Sequence, residues 1–66
     1  MTKRYRIVFE AGRYFPEERI FFMWFRPKIE AEGYKLDKHF ESYKAALGYI
    51  YLHNKEHGDR KYRIVM

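Results

Sequence analysis

Alternating polar and apolar side chains dominate the first third of the chain and predict two β-strands. In KRYRIVFE, residues 3–10, basic residues alternate with aromatic and β-branched ones, as in a half-buried strand. The segment RYFPEERIFFMWFR, residues 13–26, continues as a long second strand that ends at Arg26–Pro27. Ala11–Gly12 between them has the chemistry of a two-residue hairpin loop. The two strands are therefore predicted to pair antiparallel.

A helix and two further strands are predicted in the second half. Ser42 is a good helix N-cap, and Gly58 is a suitable C-terminal stop. Between them the apolar positions recur at helical spacing from Tyr43 to His57. A weaker alternation from Tyr34 to Phe40 predicts a strand before the helix, and RKYRIV predicts the last strand. The apolar stripe of the helix comprises Tyr43, Ala46, Leu47, Ile50 and Tyr51.

The order β-β-(β)-α-β indicates an α+β fold in a single domain, residues 1–66: a small three- or four-stranded sheet with one helix packed on one face. RYRIV near the start and KYRIV at the end would then be neighbouring parallel strands. This pairing would bring Arg4 and Arg6 close to Lys61 and Arg63. The alternative is that the repeat reflects only the ordinary composition of strands.

Two faces follow from a two-residue loop at Ala11–Gly12, because opposed residues of a hairpin share a face. Glu10 would lie opposite Arg13, and Val8 opposite Phe15. A loop longer by one residue would exchange the faces of the second strand. The first face, which we call the arginine face, would carry Arg4, Arg6, Val8, Phe15, Glu17, Arg19, Phe21, Met23 and Phe25. The second, beneath the helix, would carry Tyr5, Ile7, Phe9, Tyr14, Pro16, Ile20, Phe22 and Trp24.

The run IFFMWF is apolar at every position, so it is predicted to be covered on both faces. One short helix covers only one of them. The uncovered face, with arginines among phenylalanines, is therefore the candidate binding surface. Its predicted contact residues are Arg4, Arg6, Phe15, Arg19, Phe21, Met23, Phe25, Lys61 and Arg63.

Composition and charge narrow the class of partner. Aromatic residues make up 21% of only 66 residues, and there is no cysteine for a disulfide, so self-association as a homodimer is expected. A net charge of +5 favours acidic partners, either protein or nucleic acid. The longest apolar run, Ile20–Phe25, is too short to span a membrane, and no signal peptide is visible. No membrane partner and a cytoplasmic location are expected.

Residues for catalysis are scarce. Cysteine is absent, Ser42 is the only serine, and the glycines are too scattered for a phosphate-binding loop. His53 and His57 are four residues apart on the predicted helix and could share a metal, but no third ligand is obvious, and a solvated helix end is the simpler interpretation. We expect no catalytic residue, metal site, cofactor or small-molecule substrate, and hence no enzyme.

Several segments together resemble small accessory proteins of bacteriophages. They are a YRIV-like strand, a glycine turn, an aromatic strand of the RIFFMWF type and a helix that opens with FESYKAALGYI. The resemblance implies an accessory role, acting on a protein in the host cytoplasm, and identifies no site residues. The expected function is a non-enzymatic binding protein that engages a protein partner through the arginine and aromatic face. The alternative is a nucleic-acid-binding module that uses the same face.

Overall fold

A computed structural model describes residues 2–65 as a mixed α+β fold, which confirms the predicted class. The elements are β1 (Lys3–Glu10), β2 (Arg13–Ile20), β3 (Met23–Phe25), β4 (Lys28–Ala31), β5 (Tyr34–Asp37), α1 (Tyr43–Glu56) and β6 (Tyr62–Ile64). Four strands form one sheet in the order β3-β2-β1-β6. Strand β4 pairs with β5 in a separate two-stranded hairpin, which we call the small hairpin. No helix within residues 2–65 is long and apolar enough to cross a membrane.

The first hairpin has the predicted register. Glu10 lies opposite Arg13, and Val8 lies opposite Phe15. Ala11 and Gly12 both have positive φ angles, +52° and +75°, as the usual two-residue hairpin turn requires. The turn therefore sets which side chains of β1 and β2 share a face.

The predicted long second strand is wrong, because the chain reverses at Phe21–Phe22. β2 ends at Ile20 and β3 begins at Met23, directly opposite it. The run IFFMWF is thus two strand ends joined by a turn, rather than one strand covered on both faces. Neither turn residue is glycine, asparagine or proline, so the usual turn signal is missing.

This reversal also moves side chains between the two faces. Trp24 lies opposite Arg19 and shares its face, although it was predicted beneath the helix. The other opposed pairs, on the helix-facing side, are Ile20–Met23 and Glu18–Phe25. The predicted placement of Phe21, Met23 and Phe25 on the arginine face is therefore wrong. Phe21 lies in the turn itself.

The helix follows its prediction closely. Ser42 caps it, since its Oγ accepts a hydrogen bond from the Ala45 backbone N–H at 3.0 Å, and Gly58 follows with a φ of +119°. Ala46 and Ile50 are fully buried. They pack toward β1 and β2, where Tyr5 and Pro16 are the buried residues on the helix-facing side.

The repeated pentapeptides lie side by side, as predicted. β6 runs parallel to β1, with Arg63 beside Arg4. Lys3 N donates to Lys61 O at 2.9 Å, and Val65 N donates to Tyr5 O at 2.7 Å. The last strand therefore brings its basic side chains to the start of the first.

The strand predicted from Tyr34 to Phe40 forms only at Tyr34–Asp37, as β5, and Lys28–Ala31 forms a further strand, β4, that was not predicted. β5 pairs with β4 across a turn at Glu32–Gly33, and it does not join the four-stranded sheet. Phe40 meets that sheet through a single bridge to Tyr14. The small hairpin instead lies next to one end of the arginine face, where Asp37 at its base contacts Arg26.

Candidate binding surface

Arg26 organises the end of the arginine face that lies nearest the small hairpin. Its Nε donates to Glu17 Oε2 at 2.6 Å, and its two terminal nitrogens lie 3.2 Å from Glu10 Oε2 and 3.3 Å from Asp37 Oδ2. These hydrogen bonds, above all the one that Arg26 donates to Glu17, raise the pKa of the guanidinium. We call this group of Glu10, Glu17, Arg26 and Asp37 the compensated end, because its charges are paired.

Glu17 and Phe15 lie against the arginine side chains of this region. Glu17 is buried and also accepts from Arg6 Nε at 2.6 Å. The Arg26 guanidinium lies 4.3 Å from the centre of the Phe15 ring, and the His39 ring lies 5.9 Å from it. Phe15, predicted as an exposed contact, is therefore covered by the protein's own side chains.

Lys28 forms a further ion pair with Asp37 at the base of the small hairpin. The hydrogen bond from Lys28, with a second from Arg26, holds the pKa of the Asp37 carboxyl below its usual value, although desolvation opposes this. The carboxylate is thus kept ionised by two cations. The hairpin is attached electrostatically to the compensated end.

The opposite end of the same face is basic and lacks such compensation. Arg4 and Arg63 are neighbours on β1 and β6, and both are exposed. Arg19 is partly buried, and Lys61 is exposed just before β6. Within residues 2–65 none of the four has a carboxylate at ion-pair distance. We call these residues, together with Arg60, the arginine end.

Trp24 lies between the two ends and is already engaged by arginines. The Arg6 guanidinium is 4.4 Å from the centre of its ring, and that of Arg19 is 5.7 Å away. Such contacts are favourable because the ring face is electron-rich. They hold Arg19 over the sheet beside the exposed arginines.

The turn at Phe21–Phe22 is the most exposed apolar feature of the described chain. Its two side chains are 90% and 88% exposed. Phe21 has a φ of +59°, a left-handed conformation that costs a residue with a β-carbon about 1 to 2 kcal/mol. Flanking Ile20 and Met23 are also exposed. We call residues 20–23 the phenylalanine turn.

A groove of about 670 Å³ joins the phenylalanine turn to the arginine end. Arg4, Arg19 and Arg60 line it together with both phenylalanines. It combines cationic and apolar walls, which suits a ligand that carries both carboxylates and apolar groups.

Asn54 positions the loop that carries Arg60. It is buried on the helix, and its Nδ2 donates to the Arg60 carbonyl at 2.6 Å. Its backbone carbonyl accepts from Asp59 N at 2.8 Å. No role was predicted for Asn54, because its side-chain partners, the Arg60 carbonyl and the Tyr5 hydroxyl, come from a loop and a strand whose positions were unknown.

A second concavity of about 210 Å³ lies between the helix and the β2–β3 hairpin. Its walls include Tyr5, Ile20, Phe25, Tyr49 and Ile50, and they are mainly apolar. We call it the helix cleft. Burial, reinforced by a neighbouring carboxylate, raises the pKa of Tyr5 to about 12 and also raises that of Tyr49.

Glu18 supplies that carboxylate, at the edge of the helix cleft. Its Oε1 lies 3.1 Å from Lys3 Nζ and 3.7 Å from His53 Nε2. The cleft therefore contains a locally paired charge beside its apolar walls.

The two helix histidines contact each other. The ring centroids of His53 and His57 are 4.2 Å apart, and His57 Nδ1 lies 2.8 Å from the His53 carbonyl oxygen. Within residues 2–65 no group of three histidine, cysteine, aspartate or glutamate residues could hold a metal ion. The arrangement is that of a packed helix end.

The predicted contact residues separate into three places. Arg4, Arg19, Lys61 and Arg63 lie at the arginine end, whereas Arg6 and Phe15 belong to the paired and covered region around Glu17 and Arg26. Phe21, Met23 and Phe25 belong to the β2–β3 hairpin. The prediction missed Arg26 and Trp24. Their roles depend on the turn at Phe21–Phe22, and no turn-forming residue indicated that turn in the sequence.

Comparisons with models of protein families, with curated proteins and with solved structures find no match to this chain. The resemblance to bacteriophage accessory proteins therefore stays a prediction. What can be said of function comes from the geometry of the surface.

Proposed function

We propose that this chain is a non-enzymatic binding protein that engages an acidic protein surface through its arginine end and the adjoining groove. The cytoplasm is the expected compartment, and a bacteriophage accessory protein acting on a host protein is the expected setting. The partner's contact segment would carry carboxylates next to apolar side chains. Carboxylates would pair with the arginines, and apolar groups would pack on the phenylalanine turn.

The observation that carries this proposal is the juxtaposition of Arg4 and Arg63 on neighbouring strands, with no carboxylate of residues 2–65 at ion-pair distance. Like charges on adjacent strands destabilise a sheet. An acidic partner would remove this repulsion and supply charge-assisted hydrogen bonds, which guanidinium groups form with carboxylates in bidentate geometry.

The groove favours a protein partner over a nucleic acid. A base needs an aromatic face on which to stack. Trp24, the aromatic ring beside Arg19 on the arginine face, is already engaged by two guanidinium groups. The exposed rings instead project from a turn, together with Ile20 and Met23, a mixture that resembles the apolar part of a protein interface.

Nucleic acid remains the second candidate because three arginines line the same groove as two exposed phenyl rings. Arg4, Arg19 and Arg60 would contact phosphates, and Phe21 or Phe22 would stack on an unpaired base. Such binding would weaken steeply and log-linearly as salt is added.

A selection with defined ligands tests the proposal. A random peptide display library is selected on the immobilised full chain, and the affinity of the enriched peptides is measured for the wild type and for Arg4→Gln/Arg63→Gln. We expect peptides rich in aspartate or glutamate beside apolar residues, and a loss of affinity of about tenfold or more in the variant. The matched control is Lys35→Gln/Lys44→Gln, which removes the same charge from exposed positions elsewhere and should leave affinity unchanged.

A single-stranded oligonucleotide of mixed sequence provides the competing ligand, with binding followed by fluorescence anisotropy. Enriched peptides without acidic residues, or equal affinity in the arginine variant, would contradict the proposal. Oligonucleotide binding that is tighter than peptide binding and falls log-linearly with salt would replace it with the nucleic-acid function.

A further inference from the structure

Within residues 2–65 few large apolar side chains are buried and many are exposed. The fully buried apolar residues there are Tyr5, Ala46, Ile50 and Pro16. The β2–β3 hairpin alone exposes Ile20, Phe21, Phe22, Met23 and Phe25. A domain of this size is marginally stable even with a well-formed core. A second copy of the chain is present wherever the protein is, and the fraction of hairpins that it covers rises with protein concentration.

The helix cleft has the size and lining for an aromatic ring. An apolar cavity of about 150 Å³ is enough to take up benzene, and the helix cleft measures about 210 Å³. Phe25, Tyr49 and Ile50 contribute to its mainly apolar walls. It is therefore a fitting receptor for a phenyl group.

We propose that two copies of the chain form a two-fold dimer in which a phenyl ring of each phenylalanine turn inserts into the helix cleft of the other copy. Only one ring of each turn is inserted, and the other ring stays in the groove beside the arginine end, where the proposed partner binds. Phe21 was predicted on the arginine face, whereas in this dimer the turn at Phe21–Phe22 contacts a second copy.

Adjacency of the two surfaces makes reciprocal insertion possible. The helix cleft is lined by Ile20, the first residue of the phenylalanine turn, and by Phe25, which follows the turn by two residues. A two-fold interface requires a self-complementary patch, in which a projection and its receptor lie side by side. One rotation then fits both turns into both clefts and leaves neither cleft empty.

Backbone strain at Phe21 is a second, independent observation. A glycine would adopt its φ of +59° without the steric cost that a phenylalanine bears. A bulky, exposed side chain in such a conformation adds nothing to folding within one copy. Burial of the ring by another molecule would offset the steric cost.

The test is sedimentation velocity of the full chain over a wide range of concentrations. A turn variant, Phe21→Ser/Phe22→Ser, removes the inserting rings. A cleft variant, His53→Trp, enlarges a side chain that lines the cleft and fills the receptor. We expect the wild type to dimerise and each variant alone to dimerise at least about a hundredfold more weakly, because two buried rings are lost or excluded.

Mixing the two variants distinguishes insertion from other modes of association. The cleft variant keeps its rings, and the turn variant keeps its cleft, so one ring can still enter one cleft. We expect the mixture to form a heterodimer about tenfold tighter than either homodimer and weaker than the wild type. If the rings instead stacked on each other at the two-fold axis, the cleft variant would dimerise as tightly as the wild type.

Two further variants guard against misfolding as an explanation. Phe21→Gly relaxes the turn, so it should preserve or raise the melting temperature at low concentration while weakening the dimer. Tyr34→Ser removes a ring that is 70% exposed on the small hairpin, and it should leave dimerisation unchanged. Arg4→Gln/Arg63→Gln should also dimerise normally, which separates this result from the test of the arginine end.

A monomeric wild type at roughly millimolar concentration, where even weak dimers are populated, would overturn the proposal. So would a cleft variant that dimerises like the wild type, or a mixture no tighter than its components. Each copy carries a charge of +5, so added salt should leave the dimer unchanged or strengthen it. Weakening by salt would indicate an ion-paired interface and would equally reject ring insertion.

Discussion

The two ends of the arginine face contain similar residues in opposite electrostatic situations. At the compensated end Arg26 is surrounded by the carboxylates of Glu10, Glu17 and Asp37. At the arginine end Arg4 lies beside another arginine, Arg63. The difference shows that a count of basic residues does not locate a binding surface. The informative property is whether the fold itself supplies the counter-charge.

A paired charge and an unpaired one also contribute to folding with opposite sign. The compensated end ties β1, β2 and the small hairpin together, and its central carboxylate is buried. Removal of one partner from such a group leaves a buried charge unsatisfied. Arginines at the other end repel each other in water, where the repulsion is weak and screened by salt. Stability measurements can therefore separate the two ends before any ligand is known.

The largest effect is expected at the centre of the compensated end. Glu17→Gln keeps the shape of the side chain but leaves Arg6 and Arg26 without their shared carboxylate. We expect the free energy of unfolding, measured by urea denaturation, to fall by about 2 to 3 kcal/mol. Glu30→Gln is the matched control, because Glu30 is exposed and is expected to change stability by less than about 0.5 kcal/mol. Equal losses in the two variants would refute the role given to the compensated end.

A smaller effect is expected on the helix-facing side of the arginine end, where Tyr5 is buried beneath the sheet. Its pKa is raised to about 12, mainly by burial and then by Glu18. Since the folded pKa lies above the unfolded one, the contribution of the neutral phenol is fully present below about pH 10 and is lost as the pH rises toward about 12. The free energy of unfolding should fall by about 1 to 2 kcal/mol across that window.

Comparison of Tyr5→Phe with Tyr34→Phe isolates this contribution. Lysines also titrate in the same window, so the wild-type slope alone is not specific. The Tyr5 variant should lose less stability between about pH 9 and pH 11.5 than the wild type, whereas the exposed Tyr34 variant should follow the wild type. Identical slopes for the two variants would show that burial of Tyr5 does not carry the pH dependence.

The sequence predicted the parts of the fold that local chemistry determines. Gly12 is suited to a positive φ, so the first hairpin and its register followed from the turn. Ser42 and Gly58 bounded the helix because capping depends on the residues at its ends. The parallel pairing of β1 and β6 followed from their order in the chain and the shared pentapeptide.

The binding surface was predicted only in part, for a physical reason. One reversal without a turn residue, at Phe21–Phe22, decides whether later side chains face the helix or the arginines. A pattern of alternation cannot reveal such a reversal when every residue in the run is apolar. The role of Arg26 was also hidden, because its carboxylates come from three separate segments.

A weaker effect is expected where the small hairpin meets the compensated end. The pKa of Asp37 is lowered chiefly by Lys28 and further by Arg26, so its stabilising contribution is present above the usual carboxylate pKa and is lost as the pH falls through the lowered value. Asp37→Asn should flatten the acid side of the stability profile by at most about 1 kcal/mol, since the ion pair is partly exposed. Urea denaturation from about pH 5 down to pH 2 measures this slope. An unchanged slope would mean that Asp37 is not held ionised by its neighbours.

The smallest effect, and the sharpest contrast with Glu17→Gln, is expected from Arg4→Gln/Arg63→Gln. Loss of two arginines that repel each other should leave the free energy of unfolding unchanged or raise it by up to about 0.5 kcal/mol at low salt. The gain should disappear at roughly 0.5 M salt, because screening removes the repulsion from the wild type. Urea denaturation at both salt concentrations, with Lys35→Gln/Lys44→Gln as the charge-matched control, measures the difference. A loss above about 1 kcal/mol would show that these arginines serve folding rather than remain available for a partner, and the contrast between the two ends would no longer hold.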